Sequence, residues 1–253
     1  MTQKRKIYFV SDVHLGAPAL NNNRERELLF ASWLDNIRED VAELYLLGDI
    51  FDFWYEYKKV VPRGFTRILG RLADLTDRGV PVHFFTGNHD MWVYDYLAEE
   101  TGVQVHHDYI LREIYGKRFF LAHGDGLDAS DKGYIFLKKM FTNNTMRWLF
   151  SRLHPNFAFN IAHKWSASSR LSNSDNDEDF MANKDGMYKF AADFLHTNPI
   201  DYFIMGHRHQ LVNEKMNEKT RFIILGDWIK AFSYGVFDGE KFELKRFKDR
   251  AKA

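Results

Sequence analysis

Cysteine is absent from this 253-residue chain, so neither disulfides nor thiolate metal ligands contribute to its fold or chemistry. That absence fits a reducing cytoplasm. Net charge is also lacking: 35 Lys and Arg offset 35 Asp and Glu. A general nucleic-acid binder, with its strongly basic surface, is therefore not expected. No apolar run approaches the ~20 residues of a membrane span. The basic start at Lys4-Arg5-Lys6 leads into no signal-peptide apolar region. Internal repeats and low-complexity linkers are missing too, and the length suits one large domain, or one domain carrying an insertion.

What is present is unevenly spread. Aromatic residues make up 16% of the chain, with 23 Phe, 12 Tyr and 6 Trp. Between Lys132 and Arg170 the charged residues are Lys132, Lys138, Lys139, Arg147, Arg152, Lys164 and Arg170, seven cations and no acid, leaving 28 basic against 35 acidic residues elsewhere. The same segment holds eight aromatic rings, among them Tyr134, Phe136, Trp148 and Phe157. An ordinary amphipathic cap would have this composition, and so would a surface for apolar chains and phosphates.

A local pattern recurs along the chain: a short β-branched or aromatic run, then a polar residue of ligand type. Ile7-Tyr8-Phe9-Val10 leads to Asp12 and His14, and Leu44-Tyr45-Leu46-Leu47 to Asp49. Val82-His83-Phe84-Phe85 leads to Asn88, His89 and Asp90, and Phe119-Phe120-Leu121-Ala122 to His123. Tyr202-Phe203-Ile204-Met205 leads to His207 and His209, and Phe222-Ile223-Ile224-Leu225 to Asp227. Such runs bounded by Gly and Asp read as buried strands. Stretches 25–37 and 65–78 carry apolar residues at helical spacing. Residues 103–121 read as a hairpin about Tyr115-Gly116-Lys117, and 234–247 as another about Asp238-Gly239. The expected fold is an α/β sandwich of two packed mixed β-sheets flanked by helices. It forms a single domain over 1–253 with a helical cap inserted at 126–196. Breaks in the cap are expected at Thr142-Asn143-Asn144-Thr145 and His154-Pro155, and a polar loop at 172–179.

Carboxylates, neutral imidazoles and a carboxamide oxygen at strand ends suit divalent ions such as Mn²⁺, Fe²⁺ or Zn²⁺. A carboxylate shared between two ions ~3.5–4 Å apart would complete a two-metal hydrolytic centre. Glycines before Asp49, Asn88 and His207 are expected to permit the tight turns that aim these groups inward. His83, His106, His107, His154, His163 and His196 stand outside the pattern and read as hydrogen-bonded structural residues.

In order, the elements D-x-H, G-D, G-N-H-D, H-G and G-H-x-H resemble the calcineurin-like metallophosphoesterases. The resemblance implies a four-layer sandwich and two metal positions. Asp12, His14, Asp49 and His209 would hold the first, and Asp49, Asn88, His123 and His207 the second, with Asp49 bridging and a bridging hydroxide as nucleophile. His89 would lie over that nucleophile and the scissile phosphate as cation or general acid, with Asp90 orienting it.

Further motifs narrow the resemblance. Gly48-Asp49-Ile50-Phe51-Asp52-Phe53-Trp54, His123-Gly124-Asp125 and Asp131-Lys132-Gly133-Tyr134, followed by the basic insert, are similar to the UDP-2,3-diacylglucosamine diphosphatase family of lipid A biosynthesis. That likeness implies Mn²⁺-dependent hydrolysis of a lipid-linked nucleotide's pyrophosphate, giving UMP and 2,3-diacylglucosamine 1-phosphate. Asp131, Lys132 and Tyr134 would lie near substrate, and Ser168, Ser169 and Arg170 fall where the family has a Ser with basic neighbours. It also implies a cytoplasmic enzyme, peripheral on the inner membrane's cytoplasmic face, whose basic aromatic cap touches anionic lipid. The chain departs from the best-known members by carrying His89 where they have Arg; both are cations, but only Arg offers a planar fork. Two other readings stay open: a dinuclear-metal phosphodiesterase or nucleotide pyrophosphatase with a soluble substrate, and a non-catalytic scaffold.

Overall fold

The computed structural model describes residues 6–162 and 180–247. Ser168, Ser169, Arg170, His163 and the polar stretch 172–179 lie outside the described residues.

Side chains alternate across each strand, and this alternation builds the layers. The first sheet contains β1 (Lys6–Val10), β2 (Val41–Leu47), β3 (Val82–Phe85), β4 (Gln104–His106), β10 (Ser233–Phe237) and β11 (Phe242–Arg246), in the order β11-β10-β1-β2-β3-β4. The second contains β5 (Ile110–Ile114), β6 (Lys117–Leu121), β7 (Tyr202–Met205), β8 (Leu211–Lys215) and β9 (Arg221–Leu225), in the order β5-β6-β7-β9-β8. Parallel and antiparallel pairs occur in both. Ile7, Phe9, Tyr45, Leu47 and Phe85 of the first sheet pack against Phe119, Leu121, Ile204 and Ile223 of the second. Phe9 stacks on Tyr45 and on Phe119, with centroids 5.2 and 5.9 Å away.

The alternate residues face outward onto helices. Tyr8, Val10, Leu44 and Leu46 bury Phe30, Trp33, Leu34 and Ile37 of α1 (Asn23–Ile37) and Ile68, Leu72 and Leu75 of α2 (Thr66–Asp77). A short α3 (Tyr96–Thr101) adds Leu97 to this cluster. Phe120, Phe203 and Phe222 likewise cover Met187 and Ala191 of the last helix. Each fully buried Leu, Ile or Phe is worth ~1.5–3 kcal/mol, so the four layers are held by three apolar interfaces. The expected α/β sandwich is the one observed.

Local boundaries differ from expectation in one hairpin. Strands β5 and β6 meet at Tyr115-Gly116, both with positive φ (51° and 78°), the conformation of a two-residue hairpin turn. Residues 104–106, however, leave that hairpin and pair in parallel with β3 at the edge of the first sheet. The turn about Asp238-Gly239 is present, with the Asp238 carboxylate accepting from the N–H of Glu240 and Lys241.

Within 126–196 two kinds of helix occur. Helices α4 (Lys132–Thr142) and α5 (Asn144–Phe150) have no buried residues, and a further helix, α6, covers 155–162. Asn143 is extended (φ −69°, ψ 128°) and accepts from the N–H of Thr145 and Met146, so it ends one helix and caps the next. The last helix, α7 (Gly186–Leu195), is instead the outer layer of the second sheet. Asp185 caps it by accepting from Tyr188 N–H at 2.8 Å.

Candidate metal centre

Parallel register brings the ligand-type residues to one level. Val10 lies opposite Leu46, Leu47 opposite Phe85, Leu121 opposite Ile204 and Met205 opposite Ile224. The chain leaves all these strands at the same edge of the sandwich, where crevices of α/β folds form. Beyond the ligand loops, a parallel bridge joins Leu15 and Phe51. Residues 11–14 and 48–50 are therefore kinked excursions between two stretches of pairing.

The kinks are strained. Asp12, His14, Asp49, His207 and His209 have φ of 53°, 47°, 54°, 71° and 56°, a left-handed conformation that costs a residue with a Cβ free energy and clusters at functional sites. The preceding glycines act differently from expectation. Gly48 has φ +82°, but Gly87 and Gly206 do not need positive φ; a Cβ on Gly87 would collide with the Asp49 carboxylate, and one on Gly206 with Asp12 and Ser11. They are required for close approach.

Asp12 and Asp49 are each held by one oxygen and leave the other turned into the site. Asp12 Oδ2 accepts from His207 N–H at 2.9 Å, while its buried Oδ1 accepts no hydrogen bond and lies 3.4 Å from His209 Nε2. Asp49 Oδ1 accepts from His89 N–H at 2.8 Å, while Oδ2 lies 3.4 Å from His123 Nε2 and 3.7 Å from His14 Nε2. The Nε2 atoms of His14 and His209 stand 3.2 Å apart. Two nitrogens each ~2.1 Å from one ion can stand no more than ~4.2 Å apart, so this pair fits a shared cation. On the other side, Asn88 Oδ1 is 3.0 Å from His207 Nδ1 and 3.4 Å from His123 Nε2. The seven candidate ligands thus form two adjoining groups, with Asp49 between them.

Charge supports the fit. His123 Nδ1–H donates to the Leu47 carbonyl at 2.8 Å, leaving Nε2 to face Asp49. Burial opposes the imidazolium, but Asp49's charge and hydrogen bond outweigh it and raise His123 to about 10. The Asp49 carboxylate thus favours positive charge at that point. Burial and the nearby His123 charge push His207 down to about 4, and burial lowers His14. Asp49 stays well below the usual carboxylate range despite its burial, through the charges of His123 and His89.

His89 stands edge-on to His14, with centroids 4.7 Å apart. The expected partner, Asp90, does not reach its imidazole. Fully buried, the Asp90 carboxylate accepts from the N–H groups of Gly87, Asp49, Ile50 and Phe51 at 2.7–3.2 Å. It ties the loops of β2 and β3 together, and burial followed by the Asp49 charge pushes it up to about 7. Asp52 takes the role expected of Asp90. Its carbonyl is 3.0 Å from His89 Nδ1, and its Oδ1 is 3.8 Å from that atom and 3.5 Å from His14 Nδ1. Adjacency in sequence pointed to Asp90; the contact comes from three residues beyond Asp49.

The substrate candidates divide as well. Asp131 is exposed and caps α4, accepting from Tyr134 N–H at 2.9 Å, and Lys132 is exposed beside it. Tyr134 points inward, its ring 6.1 Å from His207 and its hydroxyl donating to Asp125 Oδ2 at 2.7 Å. Lys138 pairs with the same oxygen at 2.7 Å, a contact that the sequence pattern did not single out. Asp227 lies 3.7 Å from His209 Nδ1, and Arg208 leans outward to Asp185 and Asp128.

The family model described as calcineurin-like phosphoesterase matches residues 5–211. A UDP-2,3-diacylglucosamine hydrolase of Porphyromonas gingivalis (strain ATCC BAA-308 / W83) is 40% identical, covering 97% of this chain and 99% of that protein. One of Haemophilus influenzae (strain ATCC 51907 / DSM 11121 / KW20 / Rd) is 30% identical, covering 96% and 98%.

Proposed function

We propose, since the chain belongs to the calcineurin-like phosphoesterase family, that this metal-dependent hydrolase cleaves the pyrophosphate of UDP-2,3-diacylglucosamine. The products are UMP and 2,3-diacylglucosamine 1-phosphate. Asp12, His14, Asp49 and His209 hold one divalent ion and Asp49, Asn88, His123 and His207 the other, Mn²⁺ being the expected metal. When bound, the two ions polarise the phosphoryl group and acidify the attacking water.

The chain's own residues do the rest. Asp49 draws both ligand groups to one carboxylate. His89, its Nδ1 tied to the Asp52 carbonyl, presents its other nitrogen as the cation or acid that meets charge developing on the leaving oxygen. Asp90 acts as a positioning residue for the loops carrying Asp49 and Asn88. Asp125 holds Tyr134 and Lys138 of the insert against the metal edge.

One observation carries the lipid assignment. Met140, Phe141, Met146, Leu149, Phe150 and Leu153 of the insert, with Trp92 of the core, line an apolar cavity of about 390 Å³; Trp92 stands three residues beyond His89 along the chain. Acyl chains suit such a wall. Outside it, Phe136, Trp148 and Phe157 are 68%, 56% and 57% exposed, among the insert's basic residues. That combination supports peripheral contact with an anionic lipid surface; no helix among the described residues is long and apolar enough to cross a membrane. A cytoplasmic site of action at the inner-membrane face goes with that substrate.

The test is Mn²⁺-dependent hydrolysis of UDP-2,3-diacylglucosamine beside bis-p-nitrophenyl phosphate. Strong preference for the lipid nucleotide is expected. Activity on the diester alone would sink the lipid assignment, favour a soluble substrate, and leave the metal centre standing.

A further inference from the structure

Arg26 of α1 is buried to 3% exposure, although it belongs to no ligand motif. Its guanidinium gathers carbonyls from two loops. Nη2 donates to the carbonyls of Val13 and, at 2.9 Å, His14, and Nε donates to that of Trp228 at 3.3 Å. The Trp228 N–H in turn donates to the Asp12 carbonyl at 3.0 Å. The far side of the Asp12–His14 segment is pinned to the neighbouring loop, through Asp12 N–H to Gly48 and His14 N–H to Asp49. The left-handed segment bearing Asp12 and His14 is thus clamped from both sides, and Arg26 is the side chain in the clamp. A left-handed kink turns its carbonyls away from strand partners, and buried carbonyls need donors.

We infer that Arg26 is a positioning residue for the first metal position, holding Asp12 and His14 in their ligating conformation by bonding the carbonyls behind them. The carbonyls it bonds belong to the segment carrying Asp12 and His14, both in the first ion's ligand set, so its influence falls chiefly on that ion. A planar fork reaches carbonyls of separate loops at once, whereas a lysine ammonium is a hydrated point charge; R26K therefore restores the function only in part. The inference rests on the two-ion reading above.

Titration of metal-free protein with Mn²⁺, followed by calorimetry and by the electron paramagnetic resonance of free and bound ion, tests it, with circular dichroism as a check on folding. Wild-type protein should take up two ions. R26M should take up one with unchanged affinity and the other at least ~10-fold more weakly, as for lost orienting partners of metal ligands, with R26K between the two. Should R26M not fold, R26K alone must weaken one ion selectively. Two ions bound as tightly as in wild type, or both weakened equally, would overturn the inference while leaving the two-ion reading intact. Wild-type protein that takes up no pair of ions would defeat both.

Discussion

Asp12, His14, Asp49 and His123 are each at most 3% exposed, and backbone N–H groups, neighbouring carbonyls or a buried carboxylate fix their orientation. Helices α4 and α5 of the insert bury no residue fully; Phe141 and Phe150 pack on Trp92, while Phe136 and Trp148 face outward. One region is strained, polar and buried; the other is rich in apolar side chains and lies largely at the surface. The difference separates two tasks. Phosphate chemistry tolerates little displacement of its donors, while a site for acyl chains asks only for apolar area of roughly the right shape. Changes in the first region should therefore act on every substrate, and changes in the second on lipid substrates alone.

The largest effect expected is that of D49A, which removes the carboxylate common to both ligand groups. Bound metal and turnover should vanish together on lipid and generic diester alike; a variant that kept both would end the bridging role. H89A should keep both ions, measured by elemental analysis, and lose ~10²–10⁴-fold in kcat; unchanged turnover would strip His89 of its role.

Acidity offers a graded version of the same comparison. His14 and His207 are already held toward the neutral form, so uptake of ions must expel a proton chiefly from His123 at any pH below about 10. Apparent Mn²⁺ affinity should rise about tenfold per pH unit below that value. A flat profile from pH about 6 to 8 would contradict it. The smallest effect on chemistry belongs to the insert: W148E with F157E should leave diester hydrolysis unchanged. It should weaken binding to anionic vesicles several-fold, as exposed apolar anchors are replaced by repelled charge. An equal loss on both substrates would erase the distinction between the regions.

Sequence reading reached the strands and the seven candidate ligands because each depends on local order: an apolar run, then a short motif. It also located the break at Asn143, where a residue that caps helices interrupts the pattern. It missed what depends on packing at a distance. Arg26 carries no motif, and Asp52, Asp125 and Asp227 stand in motifs that assign them no role; they matter because the fold brings His14, His89, Tyr134, His209 or loop carbonyls to them. Asp90 was misread for the converse reason, since a neighbour in sequence had turned the other way. Gly87 and Gly206 look like turn residues, but only the atoms of Asp49 and Asp12 standing where a Cβ would be explain why no larger residue fits. Strand β8 was not foreseen because four of its five residues are exposed, leaving little alternation to read.

At two points the core holds the insert by main-chain atoms: Trp92 Nε1–H donates to the Phe141 carbonyl and the Tyr55 hydroxyl to the Arg147 carbonyl, both at 3.0 Å. A grip on carbonyls is indifferent to the side chains that those residues bear. The outward positions Phe136, Trp148 and Phe157 can accordingly drift, or be redesigned for other chain lengths, without the insert losing these footholds. The same scaffold could thus be retuned one surface residue at a time.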